Sequence, residues 1–155
     1  MRVKDLMTSP VRTCRTTARL GEAAQTMLLQ HCGCVPVVDG RGRLAGMLTD
    51  RDVCLAVAAR HQSPWDIPVR DVMSPNVVTC SVDDEVDAVL VAMKEHRVRR
   101  VPIVDDERRV KGLVSIDDVV RNTGLARGRL SIEAAADVLR HICTPVEDVV
   151  VAGRR

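Results

Sequence analysis

Apolar residues recur along this chain with two periods, and the switches between them mark its elements. Leu20, Ala23, Ala24, Met27 and Leu28 fall at i, i+3, i+4, i+7 and i+8, the spacing of one buried helix face, and Val86, Val89, Leu90 and Met93 repeat it. These helices stop near His31 and His96, and two strands follow each: 34–38 then 44–48, and 100–104 then 110–115. Gly40-Arg41-Gly42 and Asp106-Glu107-Arg108 form the turns between them. Short runs rich in β-branched residues at 11–14 and 77–80 predict a strand ahead of each helix, and helices over 50–59 and 116–123 close each unit, the second stopped by Gly124. Pro36 and Pro102 lie inside strand-like runs, so those strands should be edges or carry an irregularity there.

The pattern is β-α-β-β-α, and it occurs twice in one register. Val3/Val69, Asp5/Asp71, Met7/Met73, Thr13/Thr79, Met27/Met93, Val35/Val101, Gly46/Gly112 and Asp52/Asp118 all pair at the same offset without a gap. Two copies of one supersecondary unit follow. The fold class is α+β, mixed α/β, with tandem repeats over 1–60 and 69–124, an ordered linker over 61–68 and a C-terminal helix and tail over 125–155. In that last part Ser131 caps a helix with a stripe of Ile132, Ala135, Ala136, Leu139 and Ile142, ended by Pro145. Val149-Val150-Val151 is either an added strand or a loose tail.

Composition changes this picture in three ways. The 155 residues are 46% apolar and 28% charged, near the globular average, but Phe and Tyr are missing and Trp65 is the single tryptophan. The core must therefore be aliphatic, and stacking platforms for single-stranded nucleic acid are lacking. A net charge of +2 without a basic run argues against non-specific binding to nucleic acid or membranes. Met1-Arg2-Val3-Lys4-Asp5 lacks the apolar run of a signal peptide, and no apolar stretch is long enough to span a bilayer, so the expected location is the cytoplasm. There the six cysteines read as reduced residues rather than a disulfide framework.

The chemistry concentrates at two corners, Gly46-Met47-Leu48-Thr49-Asp50-Arg51-Asp52 and Gly112-Leu113-Val114-Ser115-Ile116-Asp117-Asp118. In each, a strand ends and a hydroxyl residue and an aspartate three later open a helix. A helix start offers unpaired N–H groups to phosphate, and a neighbouring carboxylate can accept two hydrogen bonds from a ribose diol. The same four residues also spell a capping box, with the hydroxyl as N-cap and the acid at N3. Both readings stand on the residues alone.

The paired units, the Val-Pro dipeptides at 35–36 and 101–102 and the two Gly-x-x-Ser/Thr-x-x-Asp corners resemble tandem CBS domains, the Bateman module, from about residue 3 to about 124. The resemblance implies a pseudo-two-fold pair with clefts between the repeats that bind an adenine nucleotide such as AMP, ADP or ATP, or sometimes NAD or S-adenosylmethionine. It assigns the ribose to Asp52 and Asp118 and the phosphate region to Thr49 and Ser115, with Met47, Arg51, Val35, Pro36, Val101 and Pro102 completing the ligand-binding set. Basic residues before the apolar-Pro dipeptide would face phosphate across the cleft from the other repeat. Arg99-Arg100 precede Val101-Pro102, whereas Gly33-Cys34 precede Val35-Pro36. On that arrangement the Thr49/Asp52 site gains two guanidiniums and should be the tighter.

Three readings of function compete. The first is a regulatory module that signals nucleotide occupancy to a target protein and needs no cofactor for chemistry; no Gly-x-Ser-x-Gly, His-Glu-x-x-His or P-loop motif supports an enzyme. The second is a module that only dimerises or docks. Apolar positions crowd the helix carrying Val53, Leu55, Ala56, Val57 and Ala58, and with the 131–143 helix they predict a homodimer interface. The third is a thiol or metal sensor, because His31, Cys32 and Cys34 are ligand types that zinc accepts, with His61, His141 or Cys54 left to supply a second ligand pair by converging in space.

Overall fold

The computed structural model describes residues 1–123 and 130–144. Repeat 1 runs β1 (Cys14–Arg15), α1 (Leu20–Leu29), β2 (Cys34–Val38), β3 (Leu44–Thr49) and α2 (Asp50–Arg60). Repeat 2 runs β4 (Cys80–Ser81), α3 (Val86–His96), β5 (Arg100–Val104), β6 (Val110–Ser115) and α4 (Ile116–Arg121), and α5 (Ile132–Cys143) follows. Each repeat holds one three-stranded sheet, ordered β1-β2-β3 and β4-β5-β6, with the first pair parallel and the second antiparallel. The α+β class and the order of elements agree with the hydrophobic pattern. Gly124, Pro145 and Val149-Val150-Val151 lie outside the described residues.

The prolines sit in central strands, and the sheet explains how. β1 meets β2 only at Val37 and Val38, leaving Pro36 without a neighbour on that side. Its partner across the ladder, Met47, turns its N–H and C=O away from β2 to Ser74, so Pro36 occupies a non-hydrogen-bonded pair where no ladder donor is required. Pro102 opposite Leu113 repeats this, Leu113 exchanging hydrogen bonds with Thr8. The expected irregularities follow one residue later, between Val37 and Val38 and between Ile103 and Val104.

The two cores exchange their opening segments. Val3 and Leu6 pack with Val86, Met93, Val101 and Val114 of repeat 2, while Ile67 and Val69 pack with Leu20, Val35 and Leu48 of repeat 1. Full burial of such a side chain contributes about 1.5–3 kcal/mol, so each opening segment is strongly tied to the other unit. The crossing requires two glycines. A Cβ on Gly112 would stand 2.5 Å from Met7 Sδ, and one on Gly46 would stand 2.8 Å from Met73 Sδ and from the Ser74 carbonyl. The glycine that begins each corner thus admits the chain of the opposite repeat.

α5 breaks the symmetry. Ala135 and Val138 are buried against α3 and α4, Ser131 Oγ caps the helix by accepting from the Ala134 N–H, and Lys94 Nζ lies 2.6 Å from Asp137. The buried face differs from the expected stripe. Ile132, Ala136 and Leu139 are exposed, and Ala134, Ala135, Val138 and Ile142 face repeat 2. On α1, Leu28 was expected in the core but is 73% exposed, because α1 meets solvent where α3 meets α5.

Candidate functional site

Both corners form the same local network. Asp52 Oδ2 accepts from the Thr49 N–H at 2.9 Å and its hydroxyl at 2.7 Å, while the Asp52 N–H donates back to Thr49 Oγ1 at 3.2 Å. Asp118 and Ser115 repeat this at 2.8, 2.6 and 3.2 Å. One carboxylate oxygen therefore closes the capping box, and the hydroxyl proton is spent on it. The second oxygen separates the corners. Asp52 Oδ1 accepts no hydrogen bond among the described residues, whereas Asp118 Oδ1 lies 2.5 Å from Arg121 Nη2. Asp118 is 7% exposed, and Asp52 is half-buried.

A cleft of about 470 Å³ opens between the repeats at the second corner. From repeat 2 come Arg100, Ser115, Asp117, Asp118 and Arg121; from repeat 1 come the segment around Pro10 and Arg12 and the turn from Gln30 to Cys34. Arg100 starts β5 directly across the ladder from Ser115, so it belongs beside its own repeat's corner. It also reaches the other repeat: a Cβ on Gly33 would meet Arg100 Nη2 at 3.5 Å and Asp50 Oδ2 at 3.0 Å. Neither Arg12 nor Arg100 has a carboxylate within ion-pair distance among the described residues. Two guanidiniums without an acidic partner, beside a hydroxyl and a buried acid, make a polar cavity suited to an anion with a diol.

The sequence pattern that defines the CBS domain matches residues 3–59 and 69–123. The chain belongs to the CBS-domain family. This CBS pair is 36% identical over 140 residues to the CBS domain-containing protein YhcV of Bacillus subtilis, an alignment covering 90% of the chain and 94% of that relative. Other relatives are far longer: it is 33% identical over 122 residues to the L-aspartate semialdehyde sulfurtransferase of Methanocaldococcus jannaschii, matching 79% of the chain but 23% of that protein. Among solved structures it resembles Hypoxic Response Protein I with two coordinated zinc ions, with a TM-score of 0.71, 29% identity and coverage of 78% of this chain and 98% of that one. It also resembles the CBS pair of protein MJ0100 in complex with 5-methylthioadenosine and S-adenosyl-L-methionine, with a TM-score of 0.70, 32% identity and coverage of 78% and 94%.

Within this CBS pair the expected ligand set divides. Ser115, Asp118, Arg100 and Pro36 line the cleft described above. Val35 and Val101 do not reach it, because alternate residues of a strand face opposite ways and these two are 1% and 0% exposed inside the two cores. Pro102 is buried, Met47 is half-buried opposite Pro36, and Arg51 and Arg99 are exposed. The expectation that Ser115/Asp118 is left without guanidiniums is corrected, since Arg100 lines the cleft with both, while its tip also approaches Gly33 and Asp50 at the start of α2. Sequence reasoning missed Arg12 and Arg121. Arg121 stands one helical turn after Asp118, a spacing that announces an ion pair, while Arg12 enters only through the crossing of the opening segment.

His31, Cys32 and Cys34 also line this cleft. Burial pushes the Cys34 thiol up to about 11, so it is protonated near neutrality, and Cys32 Sγ donates to the Cys34 carbonyl at 3.3 Å. A ligating thiol must be deprotonated, and among the described residues no three His, Cys, Asp or Glu side chains are grouped to hold a metal. Among the same residues no helix is long and apolar enough to cross a membrane.

Proposed function

We propose that this CBS pair is a non-catalytic regulatory module that binds an adenine nucleotide, AMP, ADP, ATP or NAD, in the cleft at Ser115 and Asp118, and passes its occupancy to a target protein. The carrying observation is the pair of guanidiniums, Arg12 and Arg100, that face a cleft of about 470 Å³ without acidic partners among the described residues, beside an acid at the family's ribose position. The volume lies in the range of small-molecule sites. Adenosine compounds bound by the similar MJ0100 pair support the adenosine part of that ligand. Signalling then follows from population shift: the ligand bridges both repeats, so it favours the arrangement that brings Arg12 and Arg100 together.

Assembly as a homodimer is part of the proposal. Leu28, Leu29 and Leu55 are exposed on α1 and α2, where a groove lined by Ala24, Met27, Val53 and Cys54 corresponds to the place that α5 fills on repeat 2. The docking-only reading rests on that same face. Calorimetric titration of AMP, ADP, ATP and NAD separates the two. Binding weakened by about tenfold or more in Arg100→Ala supports the nucleotide module, because a charge-assisted hydrogen bond contributes about 1.5–3 kcal/mol. Failure of all four nucleotides at millimolar concentration leaves docking as the function.

A further inference from the structure

We infer that Arg121 is a charged latch that makes the Ser115/Asp118 cleft selective for phosphorylated ligands over uncharged or cationic adenosine compounds; this rests on the nucleotide reading above. Both oxygens of Asp118 are engaged. Its Oδ2 holds the backbone and hydroxyl of Ser115, and its Oδ1 holds Arg121 at 2.5 Å. Oδ1 keeps one lone pair beside the guanidinium, so a ribose diol that donates both hydroxyls to this oxygen must displace Arg121. The acid is buried, with its side chain 9% exposed, so it requires a donor at all times. The diol supplies that donor.

The displaced cation is the discriminating element. The Arg121 side chain is 71% exposed, so it can swing without a barrier from packing, and it lines the cleft shared with Arg12 and Arg100. A ligand carrying phosphate offers Arg121 a new anionic partner as the diol takes Asp118, and both charges stay paired. A ligand with the diol and no phosphate returns Arg121 to water and forfeits a charge-assisted bond. Asp117, exposed at the rim of the cleft, adds a repulsion that the three guanidiniums outweigh. The first repeat lacks the device, since Leu55 occupies the position equivalent to Arg121 and Asp52 Oδ1 is unengaged among the described residues.

The test is calorimetric titration of ADP and adenosine into the full chain and its Arg121→Leu and Arg121→Gln variants, with melting curves to verify folding. The wild type should prefer ADP, and both variants should bind ADP more weakly and adenosine more tightly, narrowing the preference by about tenfold or more. Arg100→Leu should weaken ADP without strengthening adenosine, which separates a latch from general loss of positive charge. Equal weakening of both ligands in the Arg121 variants, or no change in either, overturns the latch while the nucleotide reading stands. No binding of either ligand to the wild type overturns the nucleotide reading and the latch together.

Discussion

Repeat 1 and repeat 2 share one ladder register, with Cys34 opposite Thr49 as Arg100 is opposite Ser115, and they close their second helices with the same capping box. They differ in everything that faces outward from that frame. Repeat 2 has a helix seated on α3 and α4, a buried acid tied to an arginine and a guanidinium at the start of β5. Repeat 1 has an open apolar face, an acid with one oxygen unengaged among the described residues, and Gly33-Cys34 in place of Arg99-Arg100. The shared residues set the path of the chain. On the proposed function, the unshared ones assign one repeat to ligand chemistry and leave the other a surface for a partner.

The largest expected effect breaks the covered face. Val138→Asp puts an unpaired carboxylate at a position 1% exposed between α5 and repeat 2, and should cost about 3 kcal/mol or more, read as a fall in chemical-denaturation midpoint. Leu28→Asp, on the uncovered counterpart, should change monomer stability by about 0.5 kcal/mol or less and instead weaken self-association, read by light scattering. Equal destabilisation by the two would erase the distinction between the faces.

A smaller effect sharpens the difference between the acids. Asp118→Asn removes the partner of Arg121 at a buried position and should cost about 1–3 kcal/mol, whereas Asp52→Asn, half-buried and without an ion pair among the described residues, should cost about 1 kcal/mol or less. Denaturant titration of both variants without ligand reads the gap.

The clip between α5 and α3 carries a pH signature. The hydrogen bond from Lys94 holds the Asp137 carboxyl below its ordinary value. A depressed folded-state pKa contributes stability that is fully present above the unfolded carboxylate range and is lost as pH falls through the folded value. The melting temperature of the wild type should thus exceed that of Lys94→Met at pH 7, with the difference shrinking as pH falls below about 4. A difference independent of pH would assign Lys94 a packing role only.

The smallest effect compares the two hairpin turns. Gly42 and Arg108 occupy equivalent positions with φ of 78° and 61°, and only glycine takes that conformation without a steric cost. Arg108→Gly should raise stability by up to about 1 kcal/mol, and Gly42→Ala should lower it by a similar amount. Melting curves of both variants read the sign.

The periodic elements, both capping boxes and the family were legible in the sequence because each depends on neighbours within one or two helical turns or on a repeat in register. Cys14 and Cys80 at equivalent buried positions show how far that register carries. What escaped depends on contacts between repeats. The exchange of Val3 and Val69 between cores and the entry of Arg12 into the cleft follow from how segments cross, which no local pattern encodes. The stripe on α5 was misplaced for a related reason: its alanines are small enough to face either way, and the packing of α5 on α3 and α4 selects the face carrying Ala135 and Val138.

Titration of ATP into the wild type, Arg100→Ala and Asp52→Asn, followed by calorimetry, tests most directly the claim that the nucleotide belongs to the second corner. The account predicts binding to the wild type, a loss of about tenfold or more in Arg100→Ala and little change in Asp52→Asn. Undiminished binding by Arg100→Ala together with its loss in Asp52→Asn would contradict it and return the ligand to Thr49 and Asp52.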